Sequence, residues 1–128
     1  MTIEDFNGTC DVSNATELEN ALNKRYGQEA NSFWLTHSPS KSPSLAILVK
    51  GDLASLNYFP GGDSAGFTSV GEVKGLNPDE MSIFYLDNPN QEQEVLNSSI
   101  VPFSDALKTA KEFLASKKLP STIEWFEL

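Results

Sequence analysis

VPFSDALKTAKEFLASKKLPSTIEWFEL, residues 101–128, enters one helical stripe through Pro102, turns at a second proline and closes on an aromatic strand. In Phe103–Ser116 the apolar residues Phe103, Ala106, Leu107, Ala110, Phe113 and Leu114 recur at i, i+3, i+4, i+7, i+10 and i+11. That is a single stripe at a 3.6-residue period, so the segment predicts an amphipathic helix with one packed face. Pro102 suits the start of a helix, where the missing N–H costs nothing. Asp105 in the first turn and Lys117 and Lys118 at the end complement the helix dipole. Pro120 disfavours helical geometry at Leu119 and redirects the chain. Ile123–Leu128 then carries Ile123, Trp125, Phe126 and Leu128, a strand by residue type. A strand in this terminal position stays ordered only by pairing inside a sheet.

Upstream, the expected sheet is built from runs divided by turn residues. Leu45–Lys50 (LAILVK) is continuously apolar, as a covered central strand should be, and Gly51-Asp52 turns it back into Leu53–Phe59 (LASLNYF). Ser32–His37 is a further strand, separated from that hairpin by the proline-bearing loop Ser38–Ser44. After the loop Pro60–Gly66, the segments Phe67–Val73, Met81–Leu86 and Val95–Val101 predict strands, divided by Gly75–Glu80 and the polar stretch Asp87–Gln93. At the start, Ile3–Val12 is a short strand interrupted by Asn7-Gly8. Asn14 with Glu17 resembles a capping box for a helix from about Ala15 to Tyr26, with Leu18, Ala21, Leu22 and Tyr26 on one side and Gly27 at its end. Strands without regular βαβ alternation indicate an α+β fold. A mostly antiparallel, curved sheet with an N-terminal and a C-terminal helix packed against it is expected, in one domain over residues 1–128.

Composition narrows the function. At 128 residues and 39% hydrophobic content, the chain buries a core without disulfides or metal, and its one cysteine, Cys10, precludes an internal disulfide framework. The start MTIEDFNG is acidic and not a secretory signal, and no run approaches the roughly 20 apolar residues that span a bilayer. A soluble, cytoplasmic protein is expected. The net charge is −9, from nine Lys and Arg against eighteen Asp and Glu. That balance argues against direct nucleic-acid binding and against docking on an anionic membrane, both of which need clustered bases. The acids are uneven. Met1–Asn23 holds five and no base, and Glu72–Asp105 holds seven (Glu72, Asp79, Glu80, Asp87, Glu92, Glu94 and Asp105) against Lys74 alone. Such a surface confers solubility, and it also suits a basic protein partner, because opposed potentials accelerate association.

The most conspicuous motif is Gly62-Asp63-Ser64-Ala65-Gly66, which satisfies G-x-S-x-G, and His37, Asp52 and Ser64 occur in the chymotrypsin order. Three features oppose a small serine hydrolase using Ser64. The only histidine precedes the serine, the segment after the motif is strand-like rather than helical, and the chain is too short for two β-barrels. A hairpin loop explains the match better. His37 lacks a second histidine for a metal site and reads as a surface residue, and Cys10, without a CxxC partner, reads as a small core or semi-buried residue. Asp79-Glu80 reads as a solvated pair. No phosphate or dinucleotide fingerprint occurs, so no catalytic residue, metal or cofactor is assigned.

Consecutive aromatics on strands place one ring on each face, as in Tyr58-Phe59, Phe84-Tyr85 and Trp125-Phe126. The exposed member of each pair marks a candidate binding surface. Tyr58 and Tyr85 are the expected anchors, because a phenol tolerates a half-wet position.

Four segments in order and spacing resemble the Imm1 family of bacterial immunity proteins, encoded beside polymorphic toxins. They are Asn31–Leu35 (NSFWL), Pro43–Phe59 (PSLAILVKGDLASLNYF), the Gly-rich Gly61–Gly71, and a tail with Val101-Pro102, Ala106-Leu107, Glu112-Phe113, Pro120 and Ile123-Glu124-Trp125. The resemblance covers roughly Asn31 to Glu127. It implies a non-enzymatic, mostly β protein that neutralises a cognate toxin, commonly a nucleic-acid deaminase whose catalytic zinc belongs to the toxin. An acidic protein covering a basic substrate groove fits that role, with a nuclease toxin, or an adaptor for a secreted partner, as the alternatives. The expected contacts are Glu72, Asp79, Glu80, Asp87, Glu92, Glu94 and Asp63 as electrostatic groups, with Tyr58 and Tyr85 as anchors.

Overall fold

A two-residue turn at Gly51-Asp52 folds the two most apolar runs against each other, and the sheet grows outward from that pair. A computed structural model describes residues 1–128. In chain order the elements are β1 (Thr2–Asp5), β2 (Gly8–Asp11), α1 (Ala15–Leu22), β3 (Ala30–Thr36), β4 (Ser44–Lys50), β5 (Leu53–Phe59), β6 (Phe67–Val70), β7 (Met81–Tyr85), β8 (Glu92–Leu96), β9 (Ile100–Pro102), α2 (Phe103–Ser116) and β10 (Glu124–Glu127). The large sheet is antiparallel in the order β10-β6-β5-β4-β3-β1-β2, with β9 also on β5, and β7 and β8 form a separate hairpin. This is the α+β architecture expected from the sequence, with both helices on one face of the sheet.

Strand alternation divides β3, β4 and β5 cleanly. Phe33, Leu35, Leu45, Ile47, Val49, Leu56 and Tyr58 point to the helices, where Leu18 and Leu22 of α1 and Phe113 of α2 complete the core. Each such buried side chain contributes about 1.5–3 kcal/mol through removal of apolar area from water. The capping box forms as read: Asn14 Oδ1 accepts from Glu17 N at 2.9 Å, and Glu17 Oε1 accepts from Ser13 N at 2.7 Å. α1 stops at Leu22, four residues before Tyr26, because Arg25 turns back on it. The Arg25 guanidinium donates to Leu22 O at 2.6 Å and to Gly51 O, and lies 4.5 Å from the centre of the Phe103 ring. Burial lowers the Arg25 pKa, opposed by the charges of Asp52 and Glu29.

α2 matches its sequence reading at both ends. Its last carbonyls are met by side chains from the sheet: Tyr58 Oη donates to Lys117 O at 2.9 Å, and His37 Nε2 bonds Phe113 O at 2.8 Å. The expected exposed roles of Tyr58 and His37 are thereby corrected. Tyr58 is 5% exposed, with its ring near Phe113 and Trp125. The tail closes as one unit, since Trp125 Nε1 donates to Pro120 O at 2.7 Å and β10 pairs with β6.

Two strand readings change. Val95–Val101 is not continuous: β8 ends at Leu96, a 3-10 turn occupies Asn97–Ser99, and β9 then joins β5. The run after Phe67 ends at Val70, because β5 shares one edge between two partners. β6 pairs with Asn57 and Tyr58, and β9 pairs with Leu53–Ser55. At the seam, Leu56 N donates to Ser69 Oγ at 2.9 Å, and Ser69 Oγ donates to Ser99 O at 2.6 Å. Gly71 makes the crossing possible, since a Cβ there would stand 1.8 Å from Ile100 O.

The β7–β8 hairpin lies against the opposite face. Asp87 N donates to Ser32 Oγ at 3.2 Å, and Lys50 Nζ donates to Ile83 O at 3.2 Å and sits 5.7 Å from the centre of the Tyr85 ring. Phe84, Tyr85 and Ile100 are buried outside the main core.

Candidate functional site: an acidic groove on the open sheet face

The helices cover one face of the sheet, and the hairpin covers only part of the other. What remains is a groove of about 930 Å³. Its floor comes from the outward members of the same strands that build the core: Ser32 and Trp34 on β3, Ala46 and Leu48 on β4, and Asn57 and Phe59 on β5. The β7–β8 hairpin supplies one wall with Asp87, Glu94 and Leu96, and Val70, Phe126 and Leu128 supply the other. Several of these apolar groups face solvent: Trp34 is 45% exposed, Leu96 50% and Phe126 61%.

Charge in the groove has one sign. Glu4, Asp5, Asp87 and Glu94 line it, and no lysine, arginine or histidine does. Glu4 lies directly opposite Trp34 in the β1–β3 pairing, so the carboxylate and the indole project to the same face. Asp5 is already engaged, accepting from Asn7 N at 2.8 Å and Asn31 Nδ2 at 3.1 Å. Asp87 takes the left-handed conformation (φ 66°), which aspartate tolerates better than most residues. It begins the turn between β7 and β8, and its bond to Ser32 ties that turn to the groove floor.

The aromatic floor is organised by small residues. Ala46 is the β4 partner of Trp34, and its short side chain leaves room for Trp34 and Phe59 to stack at 5.5 Å and 24°. Gly66 passes behind Phe59, where a Cβ would come within 2.7 Å of the ring, and its φ of +94° also favours glycine. The G-x-S-x-G segment is therefore the loop that backs Phe59. Ser64 Oγ accepts from Gly66 N at 3.0 Å, whereas His37 is bonded to the end of α2, and no hydrogen bond joins the two. Cys10 lies exposed on the edge strand β2 rather than in the core or semi-buried. No three His, Cys, Asp or Glu side chains converge as a metal-binding set.

Of the nine residues singled out in the sequence, the structure brings Asp87 and Glu94 into the groove. Glu72 lies in a smaller hollow of about 630 Å³ with Lys74 and Glu124. Asp79 and Glu80 are exposed in the turn before β7, held by Asn77, and Glu92 is exposed on β8. Asp63 is exposed in the loop after β5. Tyr58 and Tyr85 do not serve as exposed anchors: Tyr58 is 5% exposed and points into the core, and Phe84 and Tyr85 are both buried (1% and 8% exposed). The groove aromatics from the other two pairs are Phe59, beside Tyr58, and Phe126, beside Trp125, which alternation presents on the opposite face. Trp34 and Glu4 also line the groove and are not among the nine. For Trp34 the signal was available, since Phe33-Trp34 is another consecutive pair on a strand; Glu4 enters only through its pairing with β3.

The arrangement has the features of a binding surface: an apolar, aromatic floor with carboxylates at its margins. Residues 7–127 match the family described as "Immunity protein Imm1". Across its full length the chain is 29% identical over 128 residues, also the full length of the relative, to the double-stranded DNA deaminase immunity protein of Burkholderia cenocepacia (strain H111). With every residue of the groove's sheet floor inside that family match, as well as α2 and the terminal strand, this chain belongs to the Imm1 family of immunity proteins.

Proposed function

We propose that this protein protects its producing cell by binding a cationic toxin domain, a nucleic-acid deaminase, through the open sheet face and covering its substrate groove. The observation that carries this is the one-signed groove, four carboxylates and no base around an exposed aromatic floor. A deaminase must attract phosphate and accept a base, so its active-site surroundings are basic. The carboxylates and the overall charge of −9 steer such a domain toward the groove, and the aromatic floor gives the docked complex desolvated contact. The relative's name favours a deaminase over a nuclease as the target. Any catalytic zinc belongs to the toxin, and the immunity protein acts by occupancy.

The test is capture kinetics with the toxin domain encoded beside this chain, together with protection in cells that express it. Asp87→Lys combined with Glu94→Lys is expected to slow association about tenfold at low salt and to flatten its salt dependence. An unchanged association rate removes the groove from the interface. Ser64→Ala is expected to protect as well as the wild type; loss of protection with retained binding would favour the hydrolase instead.

A further inference from the structure

We propose that the groove contains a receptor for a single arginine side chain, with the guanidinium lying on the exposed indole of Trp34 and paired with Glu4. The inference rests on the proposed toxin-binding role for its biological occupant, and on the groove geometry for its chemistry. Trp34 is held from one side by its stack on Phe59, at 5.5 Å and 24°, and remains 45% exposed. Phe59 on β5 and Glu4 on β1 flank Trp34 from opposite sides of β3. The strand pairing sets Glu4 directly opposite Trp34, on the same face. A flat cation resting on the indole therefore has a carboxylate beside it. Trp is the strongest of the aromatic cation acceptors, and guanidinium stacks on it as a plane while still presenting N–H donors at its edge. Lysine satisfies the charge but not the plane. No cation of the protein itself lines the groove to compete for the place, since Lys50 is occupied by Ile83 O and the Tyr85 ring.

Three acetylated, amidated peptides separate this from general attraction between opposite charges: hexa-arginine, hexa-lysine and hexa-citrulline, titrated into the intact protein labelled with 15N. The two indole N–H signals act as site probe and internal control, because Trp125 donates to Pro120 O and packs on the helix side of the sheet. Hexa-arginine is expected to shift the Trp34 indole signal while leaving that of Trp125 in place, and to bind at least fivefold more tightly than hexa-lysine. Hexa-citrulline, which keeps the shape without the charge, is expected not to bind. Trp34→Leu should weaken hexa-arginine binding about fivefold or more and Trp34→Phe less than threefold, with the Trp125 signal reporting that each variant is folded. Equal affinity for hexa-arginine and hexa-lysine, or a Trp34→Leu variant that binds like the wild type, overturns the receptor. If the peptides fail in this way while the Asp87 and Glu94 reversals still slow toxin capture, the receptor falls and the toxin-binding surface stands. If the peptides behave as expected while those reversals leave capture unchanged, the proposed surface falls and the arginine receptor remains.

Discussion

Asn31 shows how much one polar side chain organises. It is fully buried, and its Oδ1 accepts from Phe6 N at 3.1 Å and Ser32 N at 2.9 Å, while its Nδ2 donates to Asp5 Oδ2 at 3.1 Å and Lys24 O at 3.0 Å. It thereby joins β1, the exit of α1 and β3. Asn31→Leu removes four hydrogen bonds, leaving Ser32 N buried without its partner and three part-buried groups unpaired, and is expected to lower unfolding free energy by about 3 kcal/mol in urea denaturation; a loss below about 1 kcal/mol would contradict the hub. Tyr58 makes a pH-dependent contribution. Burial raises its phenol pKa above the ordinary value, so the folded state favours the neutral form. The associated stability is complete below about pH 10, where the unfolded phenol is also neutral, and is lost as pH rises through the folded pKa. Tyr58→Phe is expected to cost about 1 kcal/mol at neutral pH through the lost bond to Lys117 O, and to flatten the alkaline fall in stability. An identical alkaline profile in the variant would assign that fall to other groups.

At the level of elements, legibility followed the completeness of the apolar pattern. α2 and β5 were found with their correct limits because each carries an uninterrupted stripe or run facing a neighbour. β8 was not, since Glu92, Gln93 and Glu94 are all exposed and leave no two-residue alternation. The break between β8 and β9 was equally hidden, because both sides of it are apolar and only the divided edge of β5 separates them. Gly71 guards that seam. Gly71→Ala is expected to destabilise the protein by about 3 kcal/mol or more, since its Cβ would meet the backbone of Ile100 rather than a side chain that can move. A urea midpoint equal to that of the wild type would show that the crossing strand has room to shift.

On the scale of the molecule, charge and shape act at different ranges. Under the proposed function, the excess of acids is expected to draw a basic partner from a distance, an attraction that weakens with salt as the Debye length falls to about 10 Å at 0.1 M. The aromatic floor acts only on contact, so Trp34→Ala should leave the low-salt association rate within about twofold and raise the dissociation rate of the toxin complex, as surface plasmon resonance would report. Composition, periodicity and turn residues were enough to specify an acidic α+β protein, its C-terminal helix and its central hairpin, because those properties depend on neighbours in the chain, whereas the family rested on the resemblance of four segments in order and spacing. They were not enough to say which aromatics face out. Tyr58 and Phe59 are equally good strand residues, and only the placement of α2 over one face buries the first and leaves the second in the groove. The same holds for the acids. Glu4 is more than eighty residues from Asp87 and Glu94, and the three lie along one groove solely because β1 pairs with β3 and the β7–β8 hairpin folds back over Ser32 and Lys50. Long-range strand pairing, which no local pattern encodes, made the site.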